Sequence, residues 1–267
     1  MLDLDRYCDR IGYNGVRRPT IDVLNAILAR QPDAITFEAL DPLTGKIPDL
    51  SPDAVDAKLL DARRGGYCFE QNSLLLRALT ALGFETEGLI ARVWWMMPPD
   101  ATPGPWSHMA TRIHLNGRDW LADAGFGTCV PTSALDFGTE TAQETAHEHF
   151  RLKPTTDGWM LEAEPDGDWA RVYELRRAPA EPGEYVRMNQ MAATRSHFAT
   201  DLILARTTPE ERIVVFGNRF TRRSTKGIIE RVTLDADGLE EVVGGKFGLP
   251  FDPAWRPVLE RVAAGRS

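Results

Sequence analysis

The sequence predicts an α+β fold laid out in order along the chain: helices first, an antiparallel β-section next, a mixed α/β section last. Three observations carry that reading. Apolar residues recur at helical spacing through the first 83 residues. Past Gly83 they fall into short runs separated by turn chemistry, and beyond Pro182 both patterns occur. The predicted sections are residues 1–83, 84–181 and 182–267.

Taken in order, Thr20 follows Pro19 and can cap a helix that carries Ile21, Leu24, Ile27 and Leu28 on one face. Residues 35–45 read as a loop bearing the apolar Phe37. Ser51-Pro52 has the cap-then-proline order that opens a second helix, with Val55, Leu59 and Leu60 on one side. A third helix is expected from about Cys68 to Leu82, turning Leu75, Leu79 and Leu82 inward, with Gly83 as its left-handed stop. Leu89 to Trp95 reads as a strand, followed by a Pro/Gly-rich loop from Pro98 to Pro105. Further strands are expected at 159–163, 169–175, 202–206, 213–216 and 227–234. A short helix joins the last section, and a closing helix starts at Pro253 under an Asp252 cap.

Composition bounds the function classes. Hydrophobic residues at 43% and charged residues at 26% suit a globular protein, and no apolar run approaches a membrane span. The N-terminus lacks the layout of a secretion signal, so a cytoplasmic protein is expected. Three cysteines at wide spacing argue against a disulfide framework. The net charge of −8 weighs against nucleic-acid binding. Arg219, Arg222, Arg223 and Lys226 stand out as a run without an acid, a pattern that suits a solvated hairpin face as well as an anion site.

Residues Arg64 to Asn72, reading Arg-Gly-Gly-Tyr-Cys-Phe-Glu-Gln-Asn, place Cys68 between a glycine break and a helix. A thiol at a helix N-terminus meets the positive end of the backbone dipole, which favours thiolate. Asn116-Gly117 is a strong type I′ hairpin signal. With those two as the loop, Leu115 faces Arg118 and Asp123 falls opposite Ala110. His108, two residues on, then shares a face with Ala110 and stands diagonal to Asp123, within reach of a carboxylate–imidazole bond. A carboxylate on one imidazole nitrogen leaves the other free to take a thiol proton. Cys68, His108 and Asp123 therefore read as nucleophile, base and orienter of an acyl-transfer site. His114 and His197 receive no role. His147 and His149, without a third His or Cys nearby, read as a surface loop, and no metal is expected.

At this point the chain resembles the arylamine N-acetyltransferases over nearly its whole length. The matching pieces are Phe37-Glu38 with Leu40, Arg64 to Glu70 with Asn72, Ser107-His108, Asp123 followed by Gly125-Phe126-Gly127, and Phe247-Gly248-Leu249. Ala39 and Ala124 depart from residues that are usual in the family. The resemblance implies a helical bundle, a β-barrel and an α/β lid, with a cysteine-protease-like triad between the first two. It also implies a ping-pong reaction, in which acetyl-CoA as co-substrate acetylates Cys68 and an arylamine, hydrazine or arylhydroxylamine takes the acetyl group. It implies acceptor contacts at Phe37, Val93, Phe126 and Phe198, and coenzyme A contacts at Ser107 and Gly127. We add Arg222 and Arg223 as contacts to the coenzyme A phosphates. No membrane or nucleic-acid partner is expected, and a homodimer stays open. The same residues would also serve an amide synthase of this fold that releases an aryl-amine polyketide. A thiol hydrolase or transglutaminase-like enzyme, or a non-enzymatic binding module, are further alternatives.

Overall fold

The computed structural model describes residues 2–181 and 183–265; Pro182, the expected start of the third section, lies outside them. Helix α1 (Leu4–Arg10) is capped by Asp3, whose carboxylate accepts from Arg6 N. Helix α2 (Ile21–Ala34) is capped by Thr20, which accepts from Val23 N. Residues 35–45 depart from the expected loop. Phe37–Glu38 is a strand, β1, and Leu40–Leu43 a helical turn, α3. Helix α4 (Pro52–Asp56) opens at Ser51-Pro52 and runs into a π-helical turn, Ala57–Asp61. Helix α5 (Cys68–Ala81) is followed by Gly83 at φ +89°. Leu24, Ile27, Leu28, Leu59, Leu75 and Leu79 come together from α2, the π turn and α5 as one buried core. This is the 3.6-residue periodicity expressed as packing.

The second section holds β2 (Glu85–Val93), β3 (Trp106–Leu115), β4 (Arg118–Ala122), β5 (Leu135–Asp136) and β6 (Gln143–Glu144). It continues through β7 (His149–Pro154), β8 (Gly158–Glu164) and β9 (Ala170–Arg176). They form an antiparallel sheet in the order β5-β4-β3-β2-β9-β8-β7-β6, which curls into a nearly closed barrel as β5 meets β7. Leu89, Ala110, Leu121, Phe150, Leu161 and Leu175 fill its interior. Asn116 and Gly117 take φ +52° and +74°, and Leu115 stands opposite Arg118. The predicted register holds to the end of that ladder, where Thr111 faces Ala122. The irregularity falls on the other edge of β3: His108 faces Ala91 while Trp106 faces Arg92, leaving Ser107 as the extra residue. Strand β7 is not evident in sequence. His149 lies on it rather than in a loop, paired with Glu164 at 3.1 Å.

The third section contains α6 (Glu184–Arg195), a 3₁₀ turn at His197–Ala199, β10 (Ile203–Thr207), β11 (Arg212–Phe216), β12 (Arg219–Ser224) and β13 (Gly227–Thr233). Helix α7 (Ala236–Gly245), a 3₁₀ turn at Pro253–Trp255 capped by Asp252, and α8 (Arg256–Ala263) complete it. The five-stranded sheet runs β1-β10-β11-β12-β13, so the first section donates a strand to the third. Cross-strand partners share a face. Leu204, Ile213, Val215 and Phe220 lie on one face, buried with Leu239, Val243 and Leu259 of α7 and α8. Phe37, Ile203, Ala205 and Val214 occupy the other, packed with Tyr67, Cys68 and Met188. Arg212, almost wholly buried, binds Glu148 through Nε at 3.1 Å and Val130 O through Nη2 at 2.8 Å, pinning this sheet to the barrel.

The break before α5 is set by how closely it approaches β1. Gly66 N donates to Thr36 O at 3.2 Å, and Glu38 N donates to Gly66 O at 3.2 Å. A Cβ on Gly65 would stand 2.1 Å from Thr36 O, which is backbone and cannot swing aside. Gly65→Ala should cost about 1–3 kcal/mol of stability through overpacking. A urea-unfolding midpoint equal to that of the parent would refute the close-approach argument.

Candidate active site

Cys68 is the first residue of α5, and His108 sits on β3, which packs against that helix. Asp123 follows the last residue of β4. The hairpin therefore brings His108 to Asp123, with Nε2 and Oδ2 2.7 Å apart. Both are buried. Asp123 accepts three more hydrogen bonds: from Tyr173 Oη at 2.9 Å on Oδ2, and from Asn72 Nδ2 and Gly125 N, each at 2.8 Å, on Oδ1. Burial by itself raises the pKa of this carboxyl. His108, Asn72 and the Gly125 amide outweigh burial and hold it below the usual carboxylate range. Asp123 thus carries its charge and fixes His108 with Nδ1 as the basic nitrogen.

Asn72 lies one helical turn after Cys68, on the same face of α5. Its Oδ1 accepts from Ala124 N at 3.0 Å while Nδ2 reaches Asp123, so one side chain ties the helix that carries Cys68 to the Asp123 carboxylate. The spacing was visible inside the cysteine motif. Tyr173 had no such signal, because only the long-range pairing of β9 with β2, the neighbour of β3, brings it to His108. Its ring centroid lies 4.9 Å from that of His108, and Phe126 meets His108 edge-on at 5.2 Å.

The helix-terminus expectation for Cys68 needs correction. Burial pushes the thiol up, Asp123 adds to the rise, and backbone amides of Met109 and Phe69 only partly oppose it. A lone thiolate is disfavoured here. The Sγ also lies 3.8 Å from Ser107 O, the carbonyl exposed by the irregularity in β3.

Cys68 and His108 open onto a cavity of about 370 Å³. Phe37, Val93, Phe126 and Phe198 all line it, as does Ser107. Gly127 does not. At φ +69° it lies beneath Phe37, whose ring a Cβ would meet at 3.0 Å. Sequence reasoning missed Trp95, Met96, Thr128, Ile203 and Phe216 in the wall, together with His197. Burial lowers the His197 imidazole, Asp201 opposing, which favours its neutral form. Arg222 and Arg223 lie away from the cavity. Arg222 shares a face with Phe220, turned from the cleft, and pairs with Glu211 at 2.8 Å and Glu230 at 3.2 Å. Arg223 pairs with Asp166 at 2.8 Å. Neither is a free cation. Among the described residues no three His, Cys, Asp or Glu side chains gather as a metal site.

Behind Cys68 lies a buried charge cluster. Lys58 meets Asp41 and Glu70 at 2.7 Å each, and Arg64 meets Glu38 at 2.6 Å and Asp41 at 2.9 Å. Glu70 also accepts from Tyr67 N at 3.1 Å, closing the first turn of α5. Burial pushes its carboxyl up to about 7 against the pull of Lys58, with Glu38 adding to the rise.

A family model described as N-acetyltransferase matches residues 20–256. The arylamine N-acetyltransferase of Mycolicibacterium smegmatis is 38% identical over 271 residues, covering 98% of each chain. That of Mycobacterium tuberculosis is 36% identical over 253 residues, covering 93% of this chain and 89% of its own. The Mycobacterium marinum enzyme, solved in complex with CoA, superposes with a TM-score of 0.92 at 34% identity, covering 97% of this chain and 99% of that one.

Two outcomes follow from the geometry. Asp123→Asn reverses the hydrogen-bonding demand on His108 and should lower kcat by roughly 10⁴-fold, as misoriented histidines do in triads. A near-parent rate would mean that the carboxylate does not orient the base. The second concerns Glu70, which the folded chain protonates up to about 7 and the unfolded chain releases near 4.3. The folded state binds more protons in that window, so the contribution of Glu70 to stability falls as pH rises through it. Glu70→Gln keeps an acceptor for Tyr67 N and should flatten that slope. Urea midpoints at about pH 4.5 and about pH 7.5 measure it, and an unchanged slope would sink the assignment.

Proposed function

The chain belongs to the arylamine N-acetyltransferase family and is an N-acetyltransferase, and we propose that it works by a ping-pong reaction through an acetyl thioester on Cys68. Nδ1 of His108 takes the Cys68 proton and the sulfur attacks the acetyl-CoA carbonyl. The coenzyme A thiolate departs with the proton from the imidazolium. An amine then attacks acetyl-Cys68 and gives its proton to His108, and the sulfur leaves and is reprotonated. Asp123 offsets the imidazolium charge in both halves.

The single observation that carries the reading is the pairing of this anchored Cys68–His108–Asp123 set with a cavity whose walls include no Lys, Arg, Asp or Glu. A neutral, apolar pocket disfavours a protonated alkylamine, which would lose its hydration without a counter-charge. Aromatic amines and hydrazides are uncharged near neutrality and nucleophilic as they arrive. Phe37, Phe126 and Phe198 offer ring faces and edges to an aryl group.

Intact mass spectrometry after exposure to acetyl-CoA should show a gain of about 42 Da, one acetyl group on Cys68. Cys68→Ala should lose it while keeping its fold. Anilines and hydrazides should then discharge the adduct faster than an alkylamine of similar size. Absence of the adduct, or rapid hydrolysis with no preference for an aryl acceptor, would overturn the proposal.

A further inference from the structure

We propose that Lys58 is a positioning residue for Cys68, its ammonium acting through Glu70 to hold the first turn of α5 and to offset carboxylate charge beneath the nucleophile. In taking Cys68 as the nucleophile this rests on the reaction proposed above. Burying an ammonium costs hydration, and no step of that reaction uses this one. The Lys58 side chain is only 14% exposed and sits among three carboxylates.

Local structure brings it there. Lys58 belongs to the π-helical turn Ala57–Asp61, in which Leu59 and Leu60 are buried in the helical core. Widened turns of this kind are rare and recur at functional sites. Arg64 N donates to Lys58 O at 3.0 Å, which joins the turn to the segment leading into α5. Glu70, the third residue of α5, spans the gap between the lysine and the helix end. Its Oε1 accepts from Lys58 Nζ at 2.7 Å, and its Oε2 accepts from Tyr67 N at 3.1 Å. Gly66 leaves room for this return, since a Cβ there would stand 2.9 Å from both Cβ and Oε2 of Glu70. Cys68 is the first residue of the turn that is closed in this way.

Charge pairing singles out Lys58. The cluster sets three carboxylates, Glu38 on β1, Asp41 on α3 and Glu70 on α5, against two cations, Lys58 and Arg64. Arg64 pairs with Glu38 and Asp41, whereas among the described residues Glu70 pairs with Lys58 alone. Glu70 stands two residues from Cys68, and its charge works against a Cys68 thiolate. Without Lys58 that carboxylate would have no counter-ion: it would hold a proton at lower pH and oppose the thiolate once ionised. With Lys58 in place, Tyr67 N keeps its acceptor and the charge beneath Cys68 is matched.

The rate at which iodoacetamide alkylates Cys68, followed by peptide mass mapping from about pH 6 to about pH 9, tests the assignment without any acyl donor. Cys8 and Cys129 are buried in the cores, whereas Cys68 opens onto the cavity. The proteins compared are the parent, Lys58→Met, Glu70→Gln and the double variant Lys58→Met/Glu70→Gln. Lys58→Met should match the parent near about pH 6 and fall at least about threefold behind it by about pH 9, as the unpaired Glu70 ionises. The double variant should close that gap, because the carboxylate charge is gone. An ammonium that only packs would slow alkylation equally at every pH and in the double variant, and either result overturns the proposal. So does parent-like alkylation of Lys58→Met throughout. Should Lys58→Met not fold, Glu70→Gln decides alone: alkylation at least about twofold faster than the parent at about pH 9 supports the role of Lys58, and no gain overturns it. If Cys68 follows the expected pattern yet gains no acetyl group from acetyl-CoA, the role of Lys58 stands and the acyl-transfer reading fails.

Discussion

The active site depends on one carboxylate being kept ionised where water cannot reach it. An isolated charge in such a place would take up a proton, and Asp123 avoids this by accepting four hydrogen bonds from four parts of the fold. The donors come from α5, β3, β9 and the turn after β4. That carboxylate consequently joins the helical section to the barrel and also orients the His108 ring. A fully satisfied polar network of this kind tolerates little displacement, because each lost donor leaves a buried charge less well supported.

The thiol presents the opposite problem. Burial behind the apolar wall of the cavity raises the energy of a Cys68 thiolate. The helix dipole does not resolve that conflict alone. In the reaction we propose, pairing the developing thiolate with an imidazolium does, and the stability of that imidazolium leads back to Asp123. On that proposal the cavity stays uncharged while charge separation is confined to Cys68 and His108.

The five-stranded sheet has three environments. Its outer face packs on α7 and α8, its inner face lines the cavity at one end, and the same inner face turns basic beyond Phe216. Strand alternation produces this division, since neighbouring residues such as Arg222 and Arg223 necessarily point to opposite sides. The buried Arg212–Glu148 pair keeps the inner face set against the barrel loop that carries Phe126. Replacing only one partner of such a pair would leave an uncompensated charge.

The helices over α2, α4 and α5, the type I′ hairpin, and the approach of His108 to Asp123 were legible in the sequence. Each rests on local physics: a 3.6-residue period, caps, positive φ at Asn116 and Gly117, and pairing set by the turn. Strands β1, β7 and β12 were not legible. The two residues of β1 have no strand signal until β10 offers a partner, and half of the residues of β12 are arginines. The state of the thiol, the fourth donor Tyr173 and the direction in which each arginine points were also settled only by tertiary structure. Burial, the long-range pairing of β9 with β2 and the choice of sheet face bring together residues far apart in the chain, and no local pattern encodes them.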